Sequence, residues 1–162
     1  MELKELISQK LKTNFPEADL DFSEYRNEFN VKFNKKFVNP ICKLLKEDSE
    51  LEFLLCEDMT AVDWAKIKNR FTVVYHIFSI KHSFRLVLKA DVDVSDCAID
   101  TVSSVWKTSN WQERECYDMY GIKFNNHPDL RRIYMPEEFE HHPLRKDFPL
   151  LGIPGSLPLP KK

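Results

Sequence analysis

Glycine is scarce in this chain of 162 residues, which contains only Gly121, Gly152 and Gly155. Loops that bind phosphate need several closely spaced glycines, because the backbone must approach the ligand without side chains in the way. Neither a GxGxxG nor a GxxxxGK[ST] pattern can be written with these three positions. The sequence therefore lacks the common nucleotide-binding loops.

The cysteines are few and widely separated. Cys42, Cys56, Cys97 and Cys116 form no CxxC pair, which is the spacing that many zinc sites and iron–sulfur clusters use. Isolated thiols in a cytoplasmic chain are usually small core residues. Together with the scarcity of glycine, this spacing leads us to expect no iron, zinc or flavin in the chain.

Long apolar runs and an excess of one charge are also missing. The net charge is −2, and no basic stripe of the kind that binds nucleic acid is present. The longest apolar run is too short for a transmembrane helix. The amphipathic start MELKELISQKLK lacks the features of a signal or transit peptide. These absences predict a cytoplasmic protein that does not bind nucleic acid.

Apolar periodicity predicts helices and strands in a definite order. Helices are expected at 3–14, from Asn39-Pro40 onward, at 101–107 and at 110–120, and strands at 20–22, 29–33, 51–56, 71–80 and 84–89. This order favours an α+β fold, a two-layer sandwich of a mainly antiparallel sheet with helices on one face. The predicted domain spans residues 1–124.

Residues 125–162 are predicted to form a long extended C-terminal segment. The segment is rich in proline, histidine and alternating charge and shows little periodicity. It is too long for a loop inside a compact domain, so we expect it to be disordered or to lie on another surface. Residues after Phe148 are expected to be mobile in the isolated chain.

The densest group of functional side chains lies at 111–121, with sequence WQERECYDMYG. Helical spacing places Trp111, Arg114, Glu115 and Asp118 on one face, and Arg114 is expected to reach Asp118 four residues later. This face is typical of a solvated surface with local ion pairs, or of a charged anchor for a partner. A third alternative is acid–base catalysis by Asp118 with Glu113 or Glu115, although no nucleophile or water-excluding pocket is visible.

The helix ends carry their own signals. Asn110 is predicted to be the N-cap, with Glu113 as its capping-box partner, and Gly121 is predicted to stop the helix.

Histidines and basic pairs follow in the C-terminal segment. His127, His141 and His142 with Cys116 fit no standard zinc spacing. The basic pairs 131–132 and 145–146 could hold an anionic ligand such as phosphate. Each pair has an acid close by in sequence, at 129 and 147, so paired charges at an interface are favoured.

The run from Glu113 to Pro149 closely resembles the 30 kDa subunit family of complex I. Its members are the C subunit of the bacterial NADH-quinone oxidoreductase and the J subunit of its chloroplast and cyanobacterial relatives. The resemblance rests on ERE at 113–115, YDMYG at 117–121, HPDLRR at 127–132 and HPLRKDFP at 142–149. The stretch LCEDMTAVDW at 55–64 resembles the family's turn after the third strand. The sequence departs from the family at Asn126 and His141, where glycine is frequent.

The resemblance implies a structural, cofactor-free subunit of the peripheral arm of a proton-translocating NADH:quinone oxidoreductase. The protein would pack on the hydrogenase-like large subunit, whose junction with a cluster-bearing small subunit forms the quinone site. The complex contains FMN and iron–sulfur clusters and uses NAD and quinone. The protein would meet the membrane only through the complex, on the cytoplasmic side.

An alternative is the equivalent subunit of a related membrane-bound hydrogenase or of an F420- or ferredoxin-dependent complex. The complete HPLRKDFPL segment favours the quinone-reducing branch. In either case no catalytic, cofactor-binding or metal-binding residue is expected in this chain. The expected partner interface consists of Trp111, Glu113, Arg114, Glu115, Asp118, His127, Asp129, Arg131, Arg132, His142, Arg145, Lys146, Asp147 and Phe148.

Overall fold

A five-stranded sheet forms one layer of the fold, and three helices form the other. The computed structural model describes residues 2–65 and 68–153. Its sheet is mainly antiparallel, with one parallel pair between neighbouring strands. The predicted α+β class and the predicted mainly antiparallel sheet are therefore confirmed.

The elements follow one another in a simple order along the chain. They are α1 (Leu3–Asn14), β1 (Asp21–Tyr25), β2 (Glu28–Phe33), a 3-10 turn (Lys35–Phe37), α2 (Val38–Glu47), β3 (Leu55–Asp63), β4 (Phe71–Ser79), β5 (Phe84–Val92), β6 (Ala98–Asp100), α3 (Ser109–Tyr120) and β7 (Lys123–Asn125). The sheet order is β1-β2-β5-β4-β3, with β2 parallel to β5. The short strands β6 and β7 form a separate parallel pair.

The first two strands form an antiparallel hairpin. Arg26 and Asn27 link β1 to β2 with φ angles of 51° and 65°. Two positive φ angles in a two-residue connection match the right-handed twist of the strands that they join. Asparagine tolerates this conformation better than most residues, and the turn fixes the hairpin register.

The two faces of the sheet differ in polarity. Val31, Leu88 and Tyr75 lie side by side on neighbouring strands and are completely buried. One residue along, Lys32 and Lys89 are paired on the opposite face, and both keep contact with solvent. Because side chains alternate along a strand, this pattern directs one face to the helices.

Apolar stripes on the helices complete the core. Ile7 and Leu11 of α1, Ile41 and Leu45 of α2, and Cys116 of α3 are buried in the same cluster as the inner sheet residues. Burying each large apolar side chain contributes about 1.5–3 kcal/mol. The core includes residues of all three helices and anchors α3, which carries five of the fourteen predicted interface residues.

The strand predicted at 51–56 is displaced in the structure. β3 begins at Leu55 and runs to Asp63, so the stretch at 55–64 is mostly strand and not a turn. Leu51 and Phe53 are buried, but they belong to the connection that precedes β3. A register shift between Cys56 and Asp58 interrupts the apolar alternation, and this irregularity hid the strand.

The helix predicted at 101–107 was wrong, since these residues form turns. Val102 and Trp106 are buried there, and the Trp106 indole N–H donates to the Phe53 carbonyl at 3.1 Å. Helix α2 begins at Val38, before the predicted cap Asn39. The Asn39 side chain instead donates to the Thr101 carbonyl, so tertiary contacts override both local signals.

Residues 126–153, called the C-terminal segment below, form turns and irregular backbone. The segment lies against the end of α3, and Phe139 is its one fully inserted large apolar side chain among the described residues. Residues 154–162, the last part of the predicted extended region, lie outside the described residues. The described helices are also too short and polar to cross a membrane.

Candidate functional site

Helix α3 lies between the sheet and the C-terminal segment. Cys116 faces the core, whereas Arg114 and Asp118 are buried beneath the segment. The predicted solvated face therefore exists only in part, because Trp111 remains exposed and these two charged residues do not. The expected Arg114–Asp118 ion pair is replaced, since each side chain binds the C-terminal segment instead.

Asp118 is the main anchor of the C-terminal segment. Its Oδ2 accepts hydrogen bonds from the backbone N–H groups of Ile133, Tyr134 and Met135 at 3.0, 2.7 and 2.9 Å. Its Oδ1 accepts from the Arg132 guanidinium at 2.5 Å. Burial opposes ionisation, but these donors hold the pKa of the carboxyl below its usual range. One buried carboxylate thus fixes four consecutive residues.

Two arginines reinforce this anchor. The Arg132 guanidinium also donates to the His141 carbonyl at 3.2 Å, which joins two parts of the C-terminal segment. The Arg114 guanidinium donates to the carbonyls of Arg131 and Arg132 at 3.1 Å each and lies over the Trp111 ring. The planar, multiply donating guanidinium suits such fixed contacts.

The C-terminal segment also caps the end of α3. The last carbonyls of a helix have no partners within it and carry partial negative charge. Here the carbonyls of residues 118, 119 and 120 accept from His142 Nδ1 at 2.9 Å, the Leu144 N–H at 3.1 Å and Arg145 Nε at 2.5 Å. The HPLR motif therefore satisfies three carbonyl groups in succession.

Gly121 allows this close packing. It ends α3 in the left-handed conformation with φ at 75°, as the sequence predicted. A Cβ atom at this position would stand 2.5 Å from both Arg145 Nη2 and His142 Nε2. Glycine is thus required both by the backbone angle and by the neighbouring side chains.

A second anchor holds the far part of the C-terminal segment to the sheet. The Asp63 carboxylate at the end of β3 is buried and accepts from Arg70 at 2.7 and 2.9 Å and from the Lys146 N–H at 2.8 Å. Arg70 also binds Asp147 at 2.7 Å. The Arg70 guanidinium holds the pKa of Asp63 well below its usual range.

Glu113 and His127 form a third contact at the start of the C-terminal segment. The Glu113 carboxylate accepts from the Val102 N–H at 2.7 Å and from the Thr101 hydroxyl. The predicted capping box is therefore wrong, because this carboxylate turns away from the start of its own helix. His127 Nε2 lies 3.7 Å from Glu113 Oε2, and both side chains are completely buried.

The predicted interface residues divide into an inner and an outer set. The inner side chains fasten the C-terminal segment to the body and comprise Glu113, Arg114, Asp118, His127, Arg132, His142 and Arg145. The outer set keeps contact with solvent and comprises Trp111, Glu115, Asp129, Arg131, Lys146, Asp147 and Phe148. The large exposed apolar residues of the segment are Tyr134, Leu144, Leu150 and Leu151.

Three of the other interpretations of these residues find no matching geometry. Glu113 and Asp118 bind different segments, so they do not share one site. Among the described residues, no group of three or more His, Cys, Asp or Glu side chains could hold a metal ion. Arg131 and Arg132 bind carboxylates of Asp129 and Asp118, which fits paired charges better than a free anion site.

Sequence reasoning missed Asp63, Arg70 and Thr101. The only available sequence signal was the position of Asp63, which faces the core at the end of a strand with alternating burial. An acid at such a position requires a buried partner. The predicted turn at 55–64 hid that signal. Asn126 has φ at 61°, so the left-handed conformation is retained where the family often has glycine.

Comparisons with known proteins identify the family. The family model described as respiratory-chain NADH dehydrogenase, 30 Kd subunit, matches residues 31–153. The C subunit of NADH-quinone oxidoreductase from Geobacter sulfurreducens is 52% identical over 144 residues, covering 88% of each chain. The corresponding C subunit from Roseiflexus sp. is 38% identical over 144 residues, covering 89% of this chain and 83% of that protein.

Two solved structures share the fold. The trypsin-resistant fragment of Nqo5 superposes with a TM-score of 0.65 at 22% identity, covering 80% of this chain and all of the fragment. A chain of the archaeal membrane-bound sulfane sulfur reductase gives 0.74 at 23% identity, covering 93% of this chain and 88% of its own length. The extent of the family match and the identity to its members are decisive: the chain belongs to the 30 kDa subunit family of respiratory-chain NADH dehydrogenases.

Proposed function

We propose that this chain is a non-catalytic, cofactor-free subunit in the peripheral arm of a proton-translocating NADH:quinone oxidoreductase, respiratory complex I. It docks on the hydrogenase-like large subunit, close to the cluster-bearing small subunit with which that partner forms the quinone site. The protein reaches the membrane only through the complex, on its cytoplasmic side. The names of the curated relatives support membership of this complex.

One observation carries the docking role. Leu150 and Leu151 are 103% and 99% exposed, although the C-terminal segment before them is fastened to the body at Asp118 and Asp63. Adjacent, fully exposed leucines on a fixed support are typical of a surface that a partner covers. Fixing the support in advance lowers the conformational entropy that docking would cost.

The same anchors support a role without chemistry. A general acid or base must have a proton-transfer position open to substrate. The carboxylates of Asp118 and Asp63 instead receive donors from the protein itself. The polar groups at the end of α3 therefore serve to shape the C-terminal segment.

The equivalent subunit of a related respiratory complex is the second candidate. The fold shared with a chain of the sulfane sulfur reductase complex supports it at the level of fold alone. The 52% identity to a C subunit of NADH-quinone oxidoreductase favours the quinone-reducing complex. Partners recovered with the tagged chain from its native membrane distinguish the two candidates.

A pull-down with the co-expressed hydrogenase-like subunit tests the docking surface. The double variant Leu150→Glu, Leu151→Glu places two charges on the exposed apolar patch, and burying them against a partner would be costly. We expect recovery of the partner to fall at least tenfold, with the melting temperature of this chain unchanged.

Ile80→Glu is the matched control, because Ile80 is 60% exposed at the end of β4, outside the C-terminal segment. We expect this variant to recover the partner normally. Equal recovery by the double variant and the control would refute the docking surface.

A further inference from the structure

The Glu113 carboxyl group occupies a junction between three parts of the chain. It lies on α3, accepts from the Val102 N–H at 2.7 Å and from the Thr101 hydroxyl, and approaches His127 Nε2 at 3.7 Å. Residues 101–103 follow β6, and His127 opens the C-terminal segment. The state of this one group therefore affects how the three parts are held together.

His127 has a polar contact at each ring nitrogen. Its Nδ1 accepts from the Asp129 N–H at 3.1 Å, and its Nε2 lies 3.2 Å from the Asn110 carbonyl. These two contacts assign the hydrogen to Nε2 and leave Nδ1 without one. The Nε2 hydrogen is donated to the Asn110 carbonyl, and the 3.7 Å separation from Glu113 Oε2 is too long for a hydrogen bond.

The nearby tyrosine and thiols carry no charge near neutral pH. Burial raises the pKa of Tyr75 on β4, Cys42 on α2, Cys56 on β3 and Cys116 on α3. The adjacent Arg114 guanidinium is turned toward carbonyls of the C-terminal segment. Among the described residues, an ionised Glu113 is therefore buried without a compensating cation, which is costly.

A chain of hydroxyl groups connects Glu113 to the surface. Thr101 Oγ1 lies 2.7 Å from Ser103 Oγ, and Ser103 is only half-buried. With a proton on Glu113, the carboxyl O–H donates to Thr101, which donates to Ser103. After ionisation both hydroxyl groups reverse, so Thr101 donates to the carboxylate. The hydrogen bonds can be satisfied in both states, and a proton can reach solvent.

We propose that Glu113 is a protonation-dependent fastener between α3 and residues 101–103, beside His127, and that it holds this junction most firmly when it carries a proton. Burial raises the pKa of this carboxyl to about 7, against the lowering effect of Thr101 and Val102. The junction between α3 and residues 101–103 therefore responds to pH near neutrality. This property goes beyond a scaffold role and does not depend on it.

The sign of the pH effect follows from linkage. The carboxyl pKa is 4.5 without burial and about 7 in the folded chain, so the folded state binds more protons between these values. The stability contributed by the protonated carboxyl group is fully present below pH 4.5 and is lost as the pH rises to about 7. Above that pH the stability no longer depends on this group's titration. The shift corresponds to a change of roughly 300-fold in the folding equilibrium constant.

Urea unfolding of the full chain between pH 5 and 9 tests the proposal. Glu113→Gln mimics the protonated group, so we expect the ratio of folding constants, variant over wild type, to rise by up to roughly 100-fold between pH 5 and 8. Thr101→Val removes a hydrogen-bond donor to the ionised carboxylate. We therefore expect the decline of folding stability to occur at higher pH in this variant. A ratio for Glu113→Gln that is independent of pH would overturn the proposal.

A titration of the unmodified chain covers the case in which a variant does not fold. With 13C-labelled glutamate, the carboxyl resonance of Glu113 is expected to titrate with a midpoint near 7, separate from the exposed glutamates. If every glutamate resonance titrates between pH 4 and 5, the proposal fails.

Discussion

Replacing Asp118 with asparagine tests the main anchor of the C-terminal segment. The side chain is fully buried and opposes Arg132, whose side chain is 11% exposed. Asparagine has one oxygen where aspartate has two, so its NH₂ group must face either Arg132 or the three backbone N–H groups. Removing one partner of a buried ion pair costs about 3–5 kcal/mol, because the remaining donors are left unpaired.

Native-state hydrogen exchange measures this cost at the affected groups. We expect Asp118→Asn to lower the opening free energy at the amides of Ile133, Tyr134 and Met135 by about 3–5 kcal/mol. Amides in the centre of the sheet are expected to change less, since they do not bind this carboxylate.

Asp129→Asn is the matched control in the same segment. Asp129 and its partner Arg131 are 55% and 63% exposed, so we expect an effect below about 1 kcal/mol. If both variants change amide protection by less than about 1 kcal/mol, the anchor reasoning is refuted.

Three further results are expected. Gly121→Ala should lower the melting temperature far more than Gly152→Ala, because both have positive φ but only Gly121 has Arg145 and His142 within reach of a new Cβ; equal melting losses would contradict the steric argument. Elemental analysis and a visible absorption spectrum of the isolated chain should show no iron, zinc or flavin, and one stoichiometric metal would count against this. Proteases should cleave after Phe148 faster in the isolated chain than in the assembled complex, and equal protection would oppose the docking role.

Helices and strands with regular periodicity could be predicted from the sequence. The alternation in β2 and β5 and the apolar face of α1 each continue for several residues, so local pattern and tertiary burial agree. The pattern failed at β3, where the irregularity after Cys56 breaks the alternation. It failed again at 101–107, where Val102 and Trp106 are buried in turns.

Most residues of the candidate site could be predicted from the sequence, but their contacts could not. Motif resemblance pointed to Asp118, Arg132 and Arg145, yet helical spacing suggested a local pair between Arg114 and Asp118. The actual partners are 14 or more residues away in an irregular segment. Periodicity carries no information about such contacts, so the internal fastening could be seen only in the folded chain.

In the proposed role, this chain organises a quinone-reducing complex without taking part in its chemistry. Arg132→Ala tests it most directly, because Arg132 holds the C-terminal segment to α3. Native-gel abundance of the complex and quinone reduction per assembled complex are measured in the same membranes. We expect less assembled complex, with unchanged turnover in the complex that remains. Normal assembly with lost quinone reduction would contradict it and assign these residues a catalytic role.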